Sequence, residues 1–375
     1  MRIVFTGGGS GGHFYPIIAV AESVRNIADK EKILDTKLYY YSDSPYDKES
    51  LFETGIKYTY IPAGKLRIYR STLNIIDMFK TLVGAFQALV SLFFLYPDVV
   101  FCKGGYGSFP VVLAARILRI PVVVHESDTV PGRVNKWAGK FAKHIAVSYD
   151  ETVQYFPKDK VVHTGQPIRE IIKEKKPEGA FEYLKLDSTI PTILILGGSL
   201  GAEAINNIVI DSLMQLLPNY QIIHQTGINN FKDVKARAEF LTRGTSYEGR
   251  YLAFPFLNPL AMKMAAGAAS LVVSRAGSTI FEIASWGIPS IIIPITTSYD
   301  DHQRKNAYNY ASHGAAEVIQ EGNLSPAILL TEIKRCLSDK ERNEKMRASA
   351  KSFASPDAAE RIARLLVDMS LRHEN

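Results

Sequence analysis

The stretch RIVFTGGGSGGHFYP, Arg2 to Pro16, sets a glycine-rich turn directly after an apolar, β-branched run. Strand, glycine turn and helix in that order form the opening unit of an α/β sheet. Gly7, Gly9 and Gly12 match the G-x-G-x-x-G spacing of dinucleotide sites. Glycines there let the backbone approach a phosphate, and the helix start adds free N–H groups and a positive dipole end. A nicotinamide site also wants an acid about 20 residues on. Asp43, after KLYYYS, lies 31 residues past Gly12. His13 is a residue that such a site does not need. It sits at the helix start, where the glycines expose the backbone, so its side chain is expected at the ligand edge.

Outward from this unit, the first half alternates strand candidates (Ile3–Phe5, Lys37–Tyr41, Val99–Phe101, Val122–His125, His144–Val147) with helical patterns at Pro16–Ala28, Ile75–Phe94 and Pro110–Leu118. That alternation predicts a parallel sheet with helices on both faces and ligands at the carboxyl ends of its strands. The second half repeats it. ILILGGSLGAE, near residue 193, mirrors IVFTGGGSGGH, and strands follow at Gln221–His224, Leu271–Val273 and Ser290–Ile293. The fold expected is α/β, two doubly wound Rossmann-like domains facing a central cleft. Residues 1–164 form the first domain and 165–355 the second, joined near HTGQPIRE. The tail is helical from about Ser338 to Leu371, broken or kinked at Pro356. Residues 356–375 form a helix expected to pack back on the first domain.

The 375 residues allow two domains, and 46% hydrophobic with 22% charged residues is an ordinary globular balance. A net charge of +6 favours anionic partners, and a membrane surface suits it as well as nucleic acid does. The two cysteines, Cys102 and Cys336, are far apart and suit a reducing compartment. The chain opens directly into a strand, so no signal peptide is expected. The most apolar run, LVGAFQALVSLFFL (Leu82–Leu95), has fourteen residues and contains Gln87 and Ser91. A span needs about 20, so no transmembrane helix is expected.

Five further motifs fall at strand ends. KGGYGSFP (Lys103–Pro110) is a second glycine turn, and HESDTVPG puts His125, Glu126 and Asp128 at the next ligand edge. In LGGSLGAEAIN, Ser199 offers a hydroxyl to a phosphate. Arg275-Ala-Gly-Ser-Thr279 opens a helix with Glu282 in its first turn, suited to a dipole or a ribose diol. In TTSYDDHQRKNAY, Asp301, His302, Gln303 and Asn306 suit a hydroxyl-rich ligand, and Gln303 and Asn306 share a helix face. There is no Asp-x-Asp and no His-x-x-x-His, so neither a metal-bridged diphosphate nor another metal site is expected.

Taken together, GGGSGGHFYP, KGGYGSFPVVLAA, HES-D-x-VPG, GQPIR, GGSLGAEAIN, SRAGSTIFEIASWGIPSIIIP and DDHQRKNA resemble, in order and over nearly the whole chain, the MurG family of bacterial transferases that add N-acetylglucosamine to lipid I to give lipid II. The resemblance implies a glycosyltransferase of the B type, peripheral at the cytoplasmic face of the cell membrane, acting in peptidoglycan synthesis. Its partners would be UDP-N-acetylglucosamine, membrane-bound lipid I and an anionic membrane surface, with no cofactor and no nucleic acid. By motif, Ser10, Gly11 and Gly12 would line the donor sugar and diphosphate, and Arg169 and Ser199 would contact the uridine and diphosphate. Ser278, Thr279, Ile280 and Phe281 would offer N–H groups, Glu282 would hold the ribose, and Gln303 would contact sugar hydroxyls. Two departures stand out. Ser127-Asp128 replaces the family's Gln-Asn, so a group that only accepts once ionised stands where an amide contacts the donor sugar. The Arg-Ala-Gly motif is also one residue shorter before Glu282.

The expected chemistry is an inverting transfer with His13 as base, because an imidazole of pKa about 6.5 is largely neutral at cytosolic pH. Glu126 and Asp128 are reserve candidates. Two stretches suit a lipid surface. One runs from Leu66 to Phe94 and carries Phe79, Leu82 and Phe86 with Arg67, Arg70 and Lys80. The other, RVNKWAGKFAKH, carries Lys136, Trp137, Lys140 and Phe141. A related transferase with another lipid acceptor, or a UDP-sugar epimerase, would share the architecture. A nicotinamide-binding or nucleotide-binding regulator is the non-enzymatic alternative.

Overall fold

The computed structural model describes residues 1–65, 73–198, 201–296 and 301–373. The chain divides into two units, Met1–Arg169 with Ser355–Asn375, and Glu170–Ala354. The first is built on seven parallel strands: β1 (Arg2–Thr6), β2 (Lys37–Ser42), β3 (Lys57–Tyr60), β4 (Val99–Cys102), β5 (Val122–Glu126), β6 (His144–Val147) and β7 (Val161–His163). Their order is β3-β2-β1-β4-β5-β6-β7. The second holds six: β8 (Thr192–Leu196), β9 (Gln221–Gln225), β10 (Tyr251–Phe254), β11 (Ala269–Ser274), β12 (Ser290–Ile292) and β13 (Ala316–Val318), in the order β10-β9-β8-β11-β12-β13. Both are doubly wound, with the direction of winding reversing between β1 and β4 and between β8 and β11. A ligand crevice opens outside the carboxyl ends of strands at such a reversal.

Each sheet is buried on both faces, as a parallel sheet requires. In β1, Ile3 and Phe5 enter one core with the helix Gly11–Glu31, while Val4 enters the opposite core with the helix Phe109–Ile117. The helices Lys340–Phe353 and Ala358–His373 are separate, and Pro356 lies in the break. Ile362, Ala363, Leu366 and Val367 of the latter pack in the first core beside Ile17, Val20 and Val24, and Arg364 pairs with Glu31. Near the end of the first long segment, Gly165 has a φ of +82°, open to glycine. A Cβ there would strike the Ser355 side chain.

The helix Leu73–Leu95 is longer than the fourteen-residue apolar run within it. It has 23 residues and, by length and composition, is long and apolar enough to cross a membrane. Its polarity is inverted. Gln87 donates to the Tyr60 carbonyl at 2.7 Å, and Ser91 pairs with the Tyr41 hydroxyl at 2.7 Å, so these two polar side chains bond back to the protein, while Lys80 is exposed. Gly84, Ala88 and Leu92 are buried beside them, while Ile75, Phe79, Leu82, Phe86, Val90 and Phe93 are exposed.

Two outcomes follow. Leu366→Ala, fully buried, should lower unfolding free energy by about 2–5 kcal/mol in urea titrations. Gly165→Ala should cost more than about 1 kcal/mol, since both its backbone angle and the space oppose a side chain.

Candidate active site

In the first unit, Thr6 pairs with Cys102 in register, so the turns that follow β1 and β4 leave the sheet side by side. They interleave. A Cβ on Gly105 would strike the Gly8 carbonyl, and Gly107 lies 3.3 Å from the Gly8 Cα by the same measure. Gly104 sits against the Asn135 carboxamide. The glycines of KGGYG are therefore required by loop-to-loop contact. Asp43 joins this contact, its carboxylate lying against Gly8 and Gly107 and accepting from the Ser42 hydroxyl at 3.3 Å. Burial and Asp43 push the Tyr106 hydroxyl up, and the Tyr106 ring covers Gly9.

Ser10 is the N-cap of the helix Gly11–Glu31, and its hydroxyl lies 3.0 Å from Nδ1 of His13. Gly11 is buried beneath Tyr46 and Tyr15, whereas Gly12 and His13 are half-buried. After β5, the Glu126 carboxylate is almost wholly buried and accepts four hydrogen bonds. Oε1 takes the N–H groups of Ser127 (2.8 Å) and Asp128 (3.0 Å), and Oε2 takes Gly132 N–H (3.1 Å) and Asn135 Nδ2 (2.9 Å). It shapes the whole loop that carries Asp128. Burial and Asp128 push the Glu126 carboxyl up, against Lys103 and these donors, which pull it down. His125 is held neutral by burial and by Lys103, and its Nε2 donates to the Gly165 carbonyl at 3.0 Å.

Lys103 escaped the sequence reading. It is fully buried between the loops after β1 and β5, and its Nζ has no hydrogen-bond partner among the described residues. Burial lowers its pKa, and the charges of Glu126 and Asp128 oppose that shift. The signal available in sequence was a lysine at a strand's carboxyl end before two glycines.

Arg169 closes the first unit with its guanidinium 3.8 Å from the centre of the Tyr15 ring. In the second unit, Leu196 pairs with Ser274, so the turns at Gly197–Gly198 and Arg275–Ser278 are neighbours. Ser199 lies outside the described residues, as do Arg67 and Arg70. Arg275 donates to the Ile293 carbonyl (3.1 Å) and pairs with Glu321 (2.5 Å), which also accepts from Thr296. Burial opposes but does not outweigh these donors, which hold the Glu321 carboxyl below its usual range. Ser278 and Thr279 head the helix Thr279–Trp286, with Glu282 in its first turn.

Two of the expected N–H donors are already committed. Ile280 N–H bonds Gly277 O and Phe281 N–H bonds Ser278 O, because the first turn closes on itself. The Phe281 ring stacks on Phe353. Gln303 Oε1 accepts from Ile295 N–H at 3.2 Å and Asn306 Nδ2 donates to Ala276 O at 3.1 Å, so this helix face ties together the loops after β11 and β12.

Of the residues expected at a lipid surface, Phe79, Leu82, Phe86, Lys136 and Lys140 are exposed. Trp137 is half-buried, packed on Phe109 and Phe141 with Arg116 over its ring.

Comparisons with known proteins agree with this architecture. Residues 3–147 match the glycosyltransferase family 28 N-terminal domain and residues 192–362 the glycosyltransferase family 28 C-terminal domain. A protein of Thermodesulfovibrio yellowstonii, named UDP-N-acetylglucosamine–N-acetylmuramyl-(pentapeptide) pyrophosphoryl-undecaprenol N-acetylglucosamine transferase, is 35% identical over 96% of this chain and 97% of its own. A protein of the same name from Pediococcus pentosaceus is 34% identical over 99% and 100%. The crystal structure of Acinetobacter baumannii MurG superposes with a TM-score of 0.72 at 26% identity, covering 98% of this chain and 99% of that one. The UDP-GlcNAc 2-epimerase of Neisseria meningitidis shares the fold, with a TM-score of 0.69 at 17% identity over 98% and 100%. The chain therefore belongs to glycosyltransferase family 28 and, within it, to the MurG family of N-acetylglucosaminyltransferases.

Proposed function

We propose that this protein transfers N-acetylglucosamine from UDP-N-acetylglucosamine to membrane-bound lipid I, giving lipid II and UDP, with inversion at the anomeric carbon and without a metal. The observation that carries this reading is the chain-long identity to relatives named for that transfer. His13 is the base, drawing the proton from the acceptor hydroxyl as it attacks the anomeric carbon. Glu126 is less suited to that task, because its oxygens are buried and already accept four hydrogen bonds. Asp128 borders the same loop and contacts the donor sugar or the acceptor. The leaving diphosphate is met by Arg169, by Ser199 and by the helix start at Ser278–Thr279, with Glu282 on the ribose and Gln303 on sugar hydroxyls. Ser10, Gly11 and Gly12 line the sugar diphosphate.

The exposed apolar face of the helix Leu73–Leu95 supports peripheral membrane binding, which in this reading takes place at the cytoplasmic face. Its exposed apolar face suits the acyl region, and Lys136 and Lys140 suit anionic headgroups.

A donor panel with and without lipid I tests the reaction. Transfer from UDP-N-acetylglucosamine to lipid I is expected, and turnover of the donor without acceptor would instead indicate an epimerase. His13→Ala should lower kcat by about 10²–10⁴. Glu126→Gln should act first on stability. Its amide turns two hydrogens toward donors and leaves the buried Lys103 only the charge of Asp128 in place of two, so about 3–5 kcal/mol should be lost in urea unfolding. Lys136→Glu with Lys140→Glu should weaken binding to anionic vesicles at low salt, and unchanged binding would remove this surface from the reading.

A further inference from the structure

Serine at an N-cap ordinarily accepts a hydrogen bond from the backbone N–H two or three residues on. Ser10 has the extended cap backbone, with φ −160° and ψ 161°, yet its side chain makes no such bond. Its hydroxyl lies 3.0 Å from Nδ1 of His13, the third residue of the helix. The Ser10 carbonyl accepts His13 N–H at 3.1 Å and Phe14 N–H at 3.2 Å, which fixes the backbone of the two partners. The cap oxygen has thus been given to an imidazole in place of a backbone amide.

We propose that Ser10 is a positioning residue that fixes the tautomer of His13: Nδ1–H donates to Ser10 Oγ, and the lone pair is kept on Nε2. The proposal rests on the reading of His13 as base. A neutral imidazole carries one N–H, and the hydrogen bond at one nitrogen decides which nitrogen remains basic. An N-cap oxygen is placed as an acceptor, facing the donors of the helix start. With Nδ1–H bound to it, Nε2 takes the proton of the acceptor hydroxyl. That oxygen forms its bond to the anomeric carbon while the carbon–oxygen bond to the diphosphate breaks and its electron pair leaves on UDP. The imidazolium so formed keeps the bond to Ser10, now charge-assisted.

The test uses the full-length protein labelled with ¹⁵N-histidine. The His13 signal is assigned by its loss in His13→Gln, and long-range ¹H–¹⁵N spectra are recorded above the imidazole titration. The wild type should show the Nδ1–H tautomer, Ser10→Ala should lose it, and Ser10→Thr should retain it. In kinetics with lipid I, Ser10→Ala should lower kcat at least about tenfold with a smaller change in donor KM, and Ser10→Thr should recover most of the rate. An Nε2–H signal in the wild type, or a spectrum that Ser10→Ala leaves unchanged, overturns the proposal even if His13→Ala is slow. A Ser10-dependent tautomer in an enzyme that keeps full turnover as His13→Ala overturns the base reading, and the proposal falls with it.

Discussion

In the first unit, backbone meets backbone. The turns after β1 and β4 approach so closely at Gly8 and Gly105 that no side chain fits between them. The parallel pairing of Thr6 with Cys102 brings the turns together, and the reversal of winding between those strands leaves the crevice open above them. Several polar groups of the crevice border that contact. Asp43 and Tyr106 close one side of it and Lys103 lies beneath. The helix start that carries Ser10 and His13 follows directly from it.

The loop after β5 is organised by a different force. One buried carboxylate gathers three backbone N–H groups and an asparagine amide, so Glu126 replaces the hydrogen bonds that a turn would lack away from water. Lys103 offers the opposite charge in the same low-dielectric space, where an isolated ion of either sign would be costly. Neutral His125 beside them carries the connection on to Gly165. This set of contacts runs from the sheet edge to the end of the first unit, and Asp128 takes its position from it.

Both sheets were legible because parallel strands are buried on two faces and read as continuous β-branched runs, as in VVVHE and TILIL. The strands at sheet edges, β3, β7, β10 and β13, were not read. They are short and half-exposed, with patterns such as KYTY and AEV that carry no run. The helical pattern reads only from Pro16, although His13 already stands at a helix start; the helix begins at Gly11, because glycines disfavour helix and disguise its first turn. Glycine turns, His13 and the helix start at Ser278 were visible as strand-end motifs. What Glu126, Gln303 and Ile280 bond to was not, since those partners depend on how loops from different strands meet. In the helix Leu73–Leu95, composition alone could not say which face Gln87 and Ser91 would take.

The path of the chain also bears on how the protein is made. Residues 170–354 form one continuous segment lying between two parts of the other unit. Emerging from a ribosome, that inserted unit is complete before the helix Ala358–His373 exists. Until then Ile17, Val20 and Val24 lack the residues that cover them. At a synthesis rate of about 5–20 residues per second, this apolar stripe stays bare for about ten seconds or longer. The earlier-synthesised unit is thus the later to finish folding.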